Sequence, residues 1–555
     1  MGAVPPPPPA AATASSALAE GEVAAAPDAE SGLGAEVPGL AGSRDRNERS
    51  AMGDVSVIAG STYVAQVFNF LAGLVQKGLL GPVGTGFWAL MQSFWQLSKV
   101  AQLGVFDGTS RQVPIHRGRK DYAAAAAAAD TGFSFSLLAL AVLGVLLATF
   151  SLAFGAGWAP QMRWGLVLLG VTGPLRLLAD AHMNLLQETR RFGAASAATV
   201  LQAAIGLTLQ TALVAAFGFY GMFAGAVAAS VGALWLYARM GLTGFRRPAF
   251  RLRIDWMRMR ELIAYGFPFM AFGQIWLMFM GIDNLIVAGF IDVKSLGYYA
   301  MAVSVTDYIL NLPRSIGQAL FPRMAERFGE TGEVNSFAHY AIDAQRLLAY
   351  MVVPVFVAGA YFLMPVLIRH VLPAYRPAIP VVHVMVAGSF VMALCNLPIK
   401  AMLTAGKRLA LILIVGGCLG VNALANYLAV AVWHGGIEGA AVATVFSYFV
   451  VFVATSGYAL DMMIGRRTTV AHIAELLVAT GYVCGLLWLI EALVGAGAGA
   501  LVPDALVGLL KLALFMVALT PCLVLAEKRV QGMSRLRDGL RKLVARLRGP
   551  RAAGA

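Results

Sequence analysis

Charge is scarce in this chain, and cysteine is scarcer. Of 555 residues, 13% are Asp, Glu, Lys or Arg against 59% hydrophobic, and the mean hydropathy is +0.72. A water-soluble fold carries roughly a quarter of its residues as charges, so that class is excluded and a polytopic membrane protein is implied. The four cysteines, Cys395, Cys418, Cys484 and Cys522, stand singly in apolar runs. Without CxxC or ligand spacing they exclude a disulfide framework and a zinc site, and they read as small core residues. The GAGAGA run from Gly495 lacks the lysine and strand context of a phosphate-binding loop. No HExxH, nucleophile elbow or histidine cluster is present. No catalytic residue, cofactor or metal is therefore expected, and the chain is not expected to be an enzyme. The net charge of +13 sits in short loops and a tail, which speaks for membrane topology rather than nucleic acid.

Residues 1–50 have no lysine or arginine before Arg44, a run from Pro5 to Pro9 and many alanines. That composition cannot bury a core and predicts a disordered tail; it also lacks the basic n-region and apolar run of a signal peptide. From there, about fourteen apolar windows of membrane length follow, among them 55–79, 84–106, 194–217, 220–240, 261–288 and 297–320. Basic residues fall in alternate connections: Arg111, Arg117, Arg119 and Lys120, then Arg190 and Arg191, Arg246 to Arg260, Lys407 and Arg408, Arg466 and Arg467. The positive-inside rule places these connections and both termini in the cytoplasm. Residues 528–555 form a basic tail whose leucines Leu536, Leu540, Leu543 and Leu547 have helical spacing. It is either a helix lying on anionic lipid or a solvated positive-inside tail.

An internal repeat is legible. GLLGPVGTGFWAL from Gly78 aligns without gaps to GFIDVKSLGYYAM from Gly289, pairing Gly86 with Gly297 and Gln96 with Asp307. YGMFAGAVAAS from Tyr220 resembles GGIEGAAVATV from Gly435 at nearly the same offset. The expected organisation is an N-terminal six-helix half at 51–245, a C-terminal six-helix half at 246–465, and two extra helices at 466–527.

Polar residues interrupt the spans at helical spacing. Asp307, Asn311, Arg314 and Gln318 share one face of the eighth span, with Arg314 a few turns short of its expected end at Phe321. Gln92, Gln96 and Lys99 share a face of the second, and Gln66, Asn69 and Gln76 one of the first, with Lys77 at its outer end. Ionised groups at the centre of a lipid-facing helix cost roughly 2.5–3.5 kcal/mol each on insertion scales, so these faces should meet protein or water. The competing readings are an Arg314–Asp307 pair within the helix, snorkelling of Lys99, and helix-to-helix hydrogen bonds from the amides. Arg176 and Asp180, four apart, predict a neutralising pair first and a cargo contact second. Asp283 has no opposite charge at helical spacing; either it binds a coupling cation or proton, or it pairs with a neighbouring helix. Lys400 and Lys511 are expected to snorkel. Pro268, Pro313, Pro354, Pro365, Pro380 and Pro398 mark bends.

YGFPFM at Tyr265, GIDNLIVAGF at Gly281, SLGYYAMA at Ser295, ALFPRMAE at Ala319, TAGKR at Thr404 and GGIEGAAVAT at Gly435, with LGPVGTGFWAL at Leu80 and the RQVPIHRGRKD loop at Arg111, carry a resemblance. In this order they are similar to the polysaccharide and lipid-linked oligosaccharide flippases, O-antigen flippases included, of the multidrug/oligosaccharidyl-lipid/polysaccharide exporter superfamily. The likeness runs from about residue 55 to 460. It implies an all-α integral membrane protein with two parallel six-helix repeats in a V-shaped bundle. It also implies alternating access in the bacterial inner (cytoplasmic) membrane and an isoprenoid-pyrophosphate-linked glycan as cargo. Membrane lipids surround such a protein, and a polysaccharide polymerase and glycosyltransferases are its expected partners. The arginine-plus-acid motif usual in the second helix of lipid II flippases is absent between Gln92 and Asp107, which argues against a peptidoglycan precursor. A multidrug/cation antiporter of the same superfamily is the alternative within transport. A membrane-embedded glycan polymerase or glycosyltransferase is the alternative outside it, though the outer turns are short and poor in acids and arginines. With no nucleotide site, energy must come from an ion gradient, the membrane potential or the cargo gradient.

Overall fold

The computed structural model describes residues 44–188, 191–240, 251–495 and 499–530. The expected tails at 1–43 and 531–555, with Arg190, Arg246 and Arg247, lie outside the described residues. Within them there are helices and short connections and no strand.

The first half begins with α1 (Arg44–Ser98), so helix replaces the expected tail at Arg44. It holds the first two expected spans as two arms bent at Gly81, where φ 66° and ψ 179° are open to glycine at little strain and Pro82 follows. Next come α2 (Val105–Gly118) and α3 (Tyr122–Phe154), the latter capped by Asp121, whose side chain accepts from Ala124 N. Then follow α4 (Pro160–Glu188), α5 (Phe192–Ile205), a π turn at Gly206–Gln210, α6 (Thr211–Phe217) and α7 (Phe219–Arg239). The break at Gly218 divides the fifth and sixth spans where the sequence predicts it.

The chain enters the second half along α3. Arg251 N donates to Asp130 Oδ1 at 2.6 Å, Arg253 N to Ser134 Oγ at 3.1 Å and Asp255 N to Thr131 Oγ1 at 3.3 Å. The seventh span is not one helix, as 261–288 suggested, but α8 (Trp256–Phe279) and α9 (Ile282–Phe290), broken at Met280 and Gly281. The reason is tertiary: the carbonyl of Phe279, where α8 ends, is taken at 2.8 Å by Asn422 Nδ2 from a distant helix. α10 (Val293–Thr331), capped by Asp292, runs ten residues past the expected end at Phe321. Then come α11 (Ala338–Leu347), a π turn at Leu348–Val352, α12 (Val353–His370), α13 (Ile379–Leu394), α14 (Asn396–Thr404), α15 (Arg408–Tyr427) and α16 (Gly436–Ile464). Pro398 cannot donate to the Leu394 carbonyl, so α13 and α14 part there, and the buried Gln345 Nε2 donates to that oxygen at 3.0 Å.

α17 (Arg466–Val494), α18 (Leu501–Ala518) and α19 (Thr520–Val530) close the described chain. Ion pairs fasten the first two. Arg346 Nη2 meets Glu475 at 2.9 Å, His370 meets Asp504 at 2.9 Å, and Lys511 meets Glu491 at 2.8 Å. Lys511 therefore does not snorkel: its side chain is buried and its charge is answered within the helix pair. Lys400 holds its ammonium over the Phe321 ring, 5.5 Å from the centroid.

Eleven described segments are long and apolar enough to cross a membrane. The two longest helices, α1 and α10, are not among them. In α10 the reason is the stripe of Asp307, Asn311, Arg314 and Gln318, which lowers its hydropathy.

Candidate functional site

α1, α8, α9 and α10 enclose a cavity of about 670 Å³ between the two halves. Its wall includes Lys77, Gln92, Gln96, Gln274, Asn284, Asp307 and Arg314, together with Trp88 and Trp276. A second cavity of about 350 Å³ continues past Lys99, Gln102, Asp107, Asp180 and Asn184, and Gln274 and Leu277 line both. Volumes of this order are those of small-ligand pockets.

Backbone closes on backbone at each end. At one end a Cβ on Gly86 would collide with the Val293 carbonyl, and a Cβ on Gly297 with the Pro82 carbonyl. The offset that carries Gly86 to Gly297 also carries Pro82 to Val293, so the contact is reciprocal between the two similar strings. Thr85 Oγ1 and Tyr375 Oη, 2.6 Å apart, and a 3.1 Å bond from Tyr375 Oη to the Lys77 carbonyl add a latch between halves. At the other end, rich in arginine, Gly104 and Gly108 lie against the backbone of Leu262, Gly266 and Phe267. Here Phe269 takes Arg111 of the first half at 3.7 Å and Arg408 of the second at 4.5 Å on its ring.

The expected site residues divide. Gln92, Gln96, Asp307 and Arg314 meet on the main cavity. Arg314 Nη2 pairs with Asp307 Oδ1 at 3.1 Å and Nη1 reaches Asn311 Oδ1 at 3.4 Å, so the intrahelical pair forms and faces the cavity. Lys99 lines the second cavity. Arg176 and Asp180 form no ion pair with each other: Arg176 lies over the Trp95 ring at 5.1 Å, while Asp180 turns to the second cavity near Lys99. The aromatic face offers the guanidinium a partner that four-residue spacing does not reveal. Asn69 and Gln318 are exposed and line neither cavity. Gln76 makes a helix-to-helix bond, its Nε2 donating at 2.9 Å to the Gly206 carbonyl at the π turn. In α2, burial raises the Asp107 carboxyl above the usual carboxylate range, while Arg111 and Lys99 pull it back.

Asp283 faces away from the cavity, at 1% exposure, and pairs with no cation. Tyr299 Oη donates to its Oδ2, Thr444 Oγ1 lies 3.3 Å from the same oxygen, and Asn284 N donates to Oδ1 at 3.0 Å. Asn426 Nδ2 reaches Asn422 Oδ1 at 2.6 Å and Thr444 Oγ1 at 3.3 Å, leaving Asn426 Oδ1 buried without a partner. The expected alternative of an ion pair with a neighbouring helix is not what forms; instead two hydroxyls and a backbone N–H meet the carboxylate, and Thr444 links it to the Asn422–Asn426 amide pair, so oxygens of the kind hard cations take lie close by.

Sequence reasoning missed several of these groups. Asn422 and Asn426 carried the signal used elsewhere, two amides four apart in an apolar span. Tyr299 and Thr444 carried none, since tyrosine and threonine are ordinary in helix packing. The Lys77 ammonium has no hydrogen-bond or ion-pair partner among the described residues and lines the main cavity.

Residues 79–374 match the family described as polysaccharide biosynthesis protein. The chain belongs to that family. The matched stretch includes α8 to α10, the second arm of α1 and most of the cavity wall. Among solved structures, the fold is similar to the lipid II flippase MurJ in an inward closed conformation, at 15% identity and a TM-score of 0.61, covering 84% of this chain and 99% of that one. It is also similar to an inward-facing multidrug resistance MATE family transporter of the MOP superfamily, at 15% identity and 0.58, covering 74% and 95%. An outward-facing structure of that transporter family gives 0.52 at 15% identity, covering 76% and 96%. A search of curated proteins finds no match. This family member is thus a multi-pass membrane protein with the fold of MOP-superfamily transporters.

Proposed function

We propose that the protein moves an isoprenoid-pyrophosphate-linked glycan from the cytoplasmic to the outer leaflet of the bacterial inner membrane by alternating access, with both termini cytoplasmic. The observation that carries this reading is the polar cavity at the seam of the two halves, crossed by backbone contacts at both ends. Alternating access needs two separable seals, and glycine contacts can form and part without repacking large side chains. The arginine-rich seal is the cytoplasmic one by the positive-inside rule. Lys99 and Lys77 offer cations to a pyrophosphate near opposite ends of the path, and Arg314 can exchange Asp307 for phosphate oxygens. Enzymes that assemble and polymerise the glycan are the functional partners in this reading.

The oxygen knot around Asp283 is the coupling-ion site of this proposal. A cation there would neutralise the buried carboxylate and tie α9 to α15 and α16, next to the α8–α9 break. Differential affinity for the ion in two states is what drives such a shift.

The test is purified protein in liposomes with a lipid-linked oligosaccharide, read as exposure of the sugar on the opposite leaflet. Flipping above that of empty liposomes, slowed at least tenfold by Arg314→Gln and made indifferent to cation gradients by Asp283→Asn, is the expected result. Exchange of an organic cation with no movement of the lipid-linked sugar would replace this reading with the antiporter.

A further inference from the structure

The charge on the main cavity wall is almost fully cancelled. Lys77 and Arg314 stand against Asp307, and Arg314 is already bonded to that aspartate. What remains is one unpaired ammonium, Lys77, at the end latched by Tyr375. Between the seals the wall is neutral and rich in amides: Gln92 and Gln96 on the second arm of α1, Gln274 on α8 and Asn284 on α9. Three of these hold a buried oxygen without a hydrogen-bond partner, Gln96 Oε1, Gln274 Oε1 and Asn284 Oδ1. Gln274 is nine-tenths buried, lines both cavities and makes no hydrogen bond through its side chain. Trp88 and Trp276 add apolar faces to the same wall.

We infer that this wall selects the glycan part of the cargo by charge: it takes a neutral sugar and rejects one bearing a carboxylate, with Gln274 as the principal specificity residue. The inference rests on the flippase reading and deepens it. Each amide presents a donor and an acceptor, the complement of a hydroxyl or an N-acetyl group, and a buried amide left unpaired is satisfied when such a group arrives. Tryptophan faces suit the apolar C–H faces of a pyranose ring. The pyrophosphate matches the one surplus ammonium. A uronic acid would then bring a further negative charge into a low-dielectric wall whose one cation besides the surplus ammonium, Arg314, is already paired with Asp307.

The experiment uses the full protein in liposomes with three probes. These are an isoprenyl pyrophosphate carrying a neutral disaccharide, the same lipid carrying a disaccharide with one hexuronic acid, and an organic cation. The neutral glycan is expected to cross at least tenfold faster than the acidic one. Gln274→Ala should slow the neutral glycan about tenfold with an unchanged melting temperature, and Gln274→Lys should speed the acidic one and narrow the ratio. Equal rates for the two glycans in the unmodified protein overturn the inference while leaving the flippase reading intact. So does a Gln274→Lys variant that folds and keeps the original ratio. Movement of the organic cation alone removes the flippase reading itself, and the selectivity with it.

Discussion

On the cavity wall, Asp307 keeps 55% of its side chain exposed and meets Arg314 at 3.1 Å. Inside the C-terminal half, Asp283 is 1% exposed and meets two hydroxyls and a backbone amide. The two belong to successive helices, α9 and α10, so the difference lies in what surrounds them. An exposed pair such as Asp307–Arg314 contributes about 0–1 kcal/mol, and a ligand can break it at little expense. A carboxylate taken out of water with no cation loses several kcal/mol of solvation, which its hydrogen bonds only partly restore. The wall is therefore ready to exchange partners, and the knot has a standing need for positive charge. Glu475 lies between these extremes: partly buried, it holds Arg346 by two hydrogen bonds of 3.3 and 2.9 Å and accepts a third from Tyr350 Oη at 2.6 Å.

The contrast is broken most completely by keeping the wall from closing. Gly86→Leu drives a side chain into the Val293 carbonyl, so transport should fall to background while the protein still inserts. A cysteine placed at Thr85 should then label more readily; transport at the original rate in Gly86→Leu would show that this seal is not used.

Next in size is Asp283→Asn. Removing the uncompensated charge should raise stability in cation-free buffer, because a buried unpaired ion costs several kcal/mol of solvation, and the variant should gain no stability from sodium. Melting curves with and without sodium decide it, and an unchanged sodium response in the variant would remove the knot from ion coupling.

Glu475→Gln should lower stability by about 1–3 kcal/mol, because it weakens three hydrogen bonds at a partly buried site. Its signature is a lower melting temperature without an altered sodium response, which separates a structural rivet from the ion knot. Asp307→Asn is the smallest: a stability change within about 1 kcal/mol, with Arg314 left without its carboxylate partner. A loss much beyond that would place Asp307 in the structural class with Glu475.

Much of the fold was legible because spans, breaks and bends are written locally. Gly218 ends a span where glycine interrupts the apolar run, and Gly81 with Pro82 bends α1 just before the second expected span. The two similar strings drew attention to Gly86 and Gly297, and each of these glycines packs against the backbone of the other string. The site was legible only in outline. Of the stripe Asp307, Asn311, Arg314 and Gln318, only Asp307 and Arg314 line the cavity, and Asn69 from a similar stripe lines neither cavity. Arg176 looked like the partner of Asp180, but no ion pair forms between them and its guanidinium lies over the Trp95 ring. Lys511 looked like a snorkelling residue until α17 brought Glu491 beside it.

From sequence alone came the membrane class, the approximate spans and the kinds of side chain that would leave lipid. All of these depend on neighbours within a turn or two, where hydropathy and helical period act. Tertiary packing decided that Asn422 would take the Phe279 carbonyl, that Asn426, Thr444 and Tyr299 would gather round Asp283, and that Gln274 would stand unpaired between two cavities. Without water in the bilayer interior, each buried polar atom must find its partner on another helix, and that partner can lie hundreds of residues away in the chain.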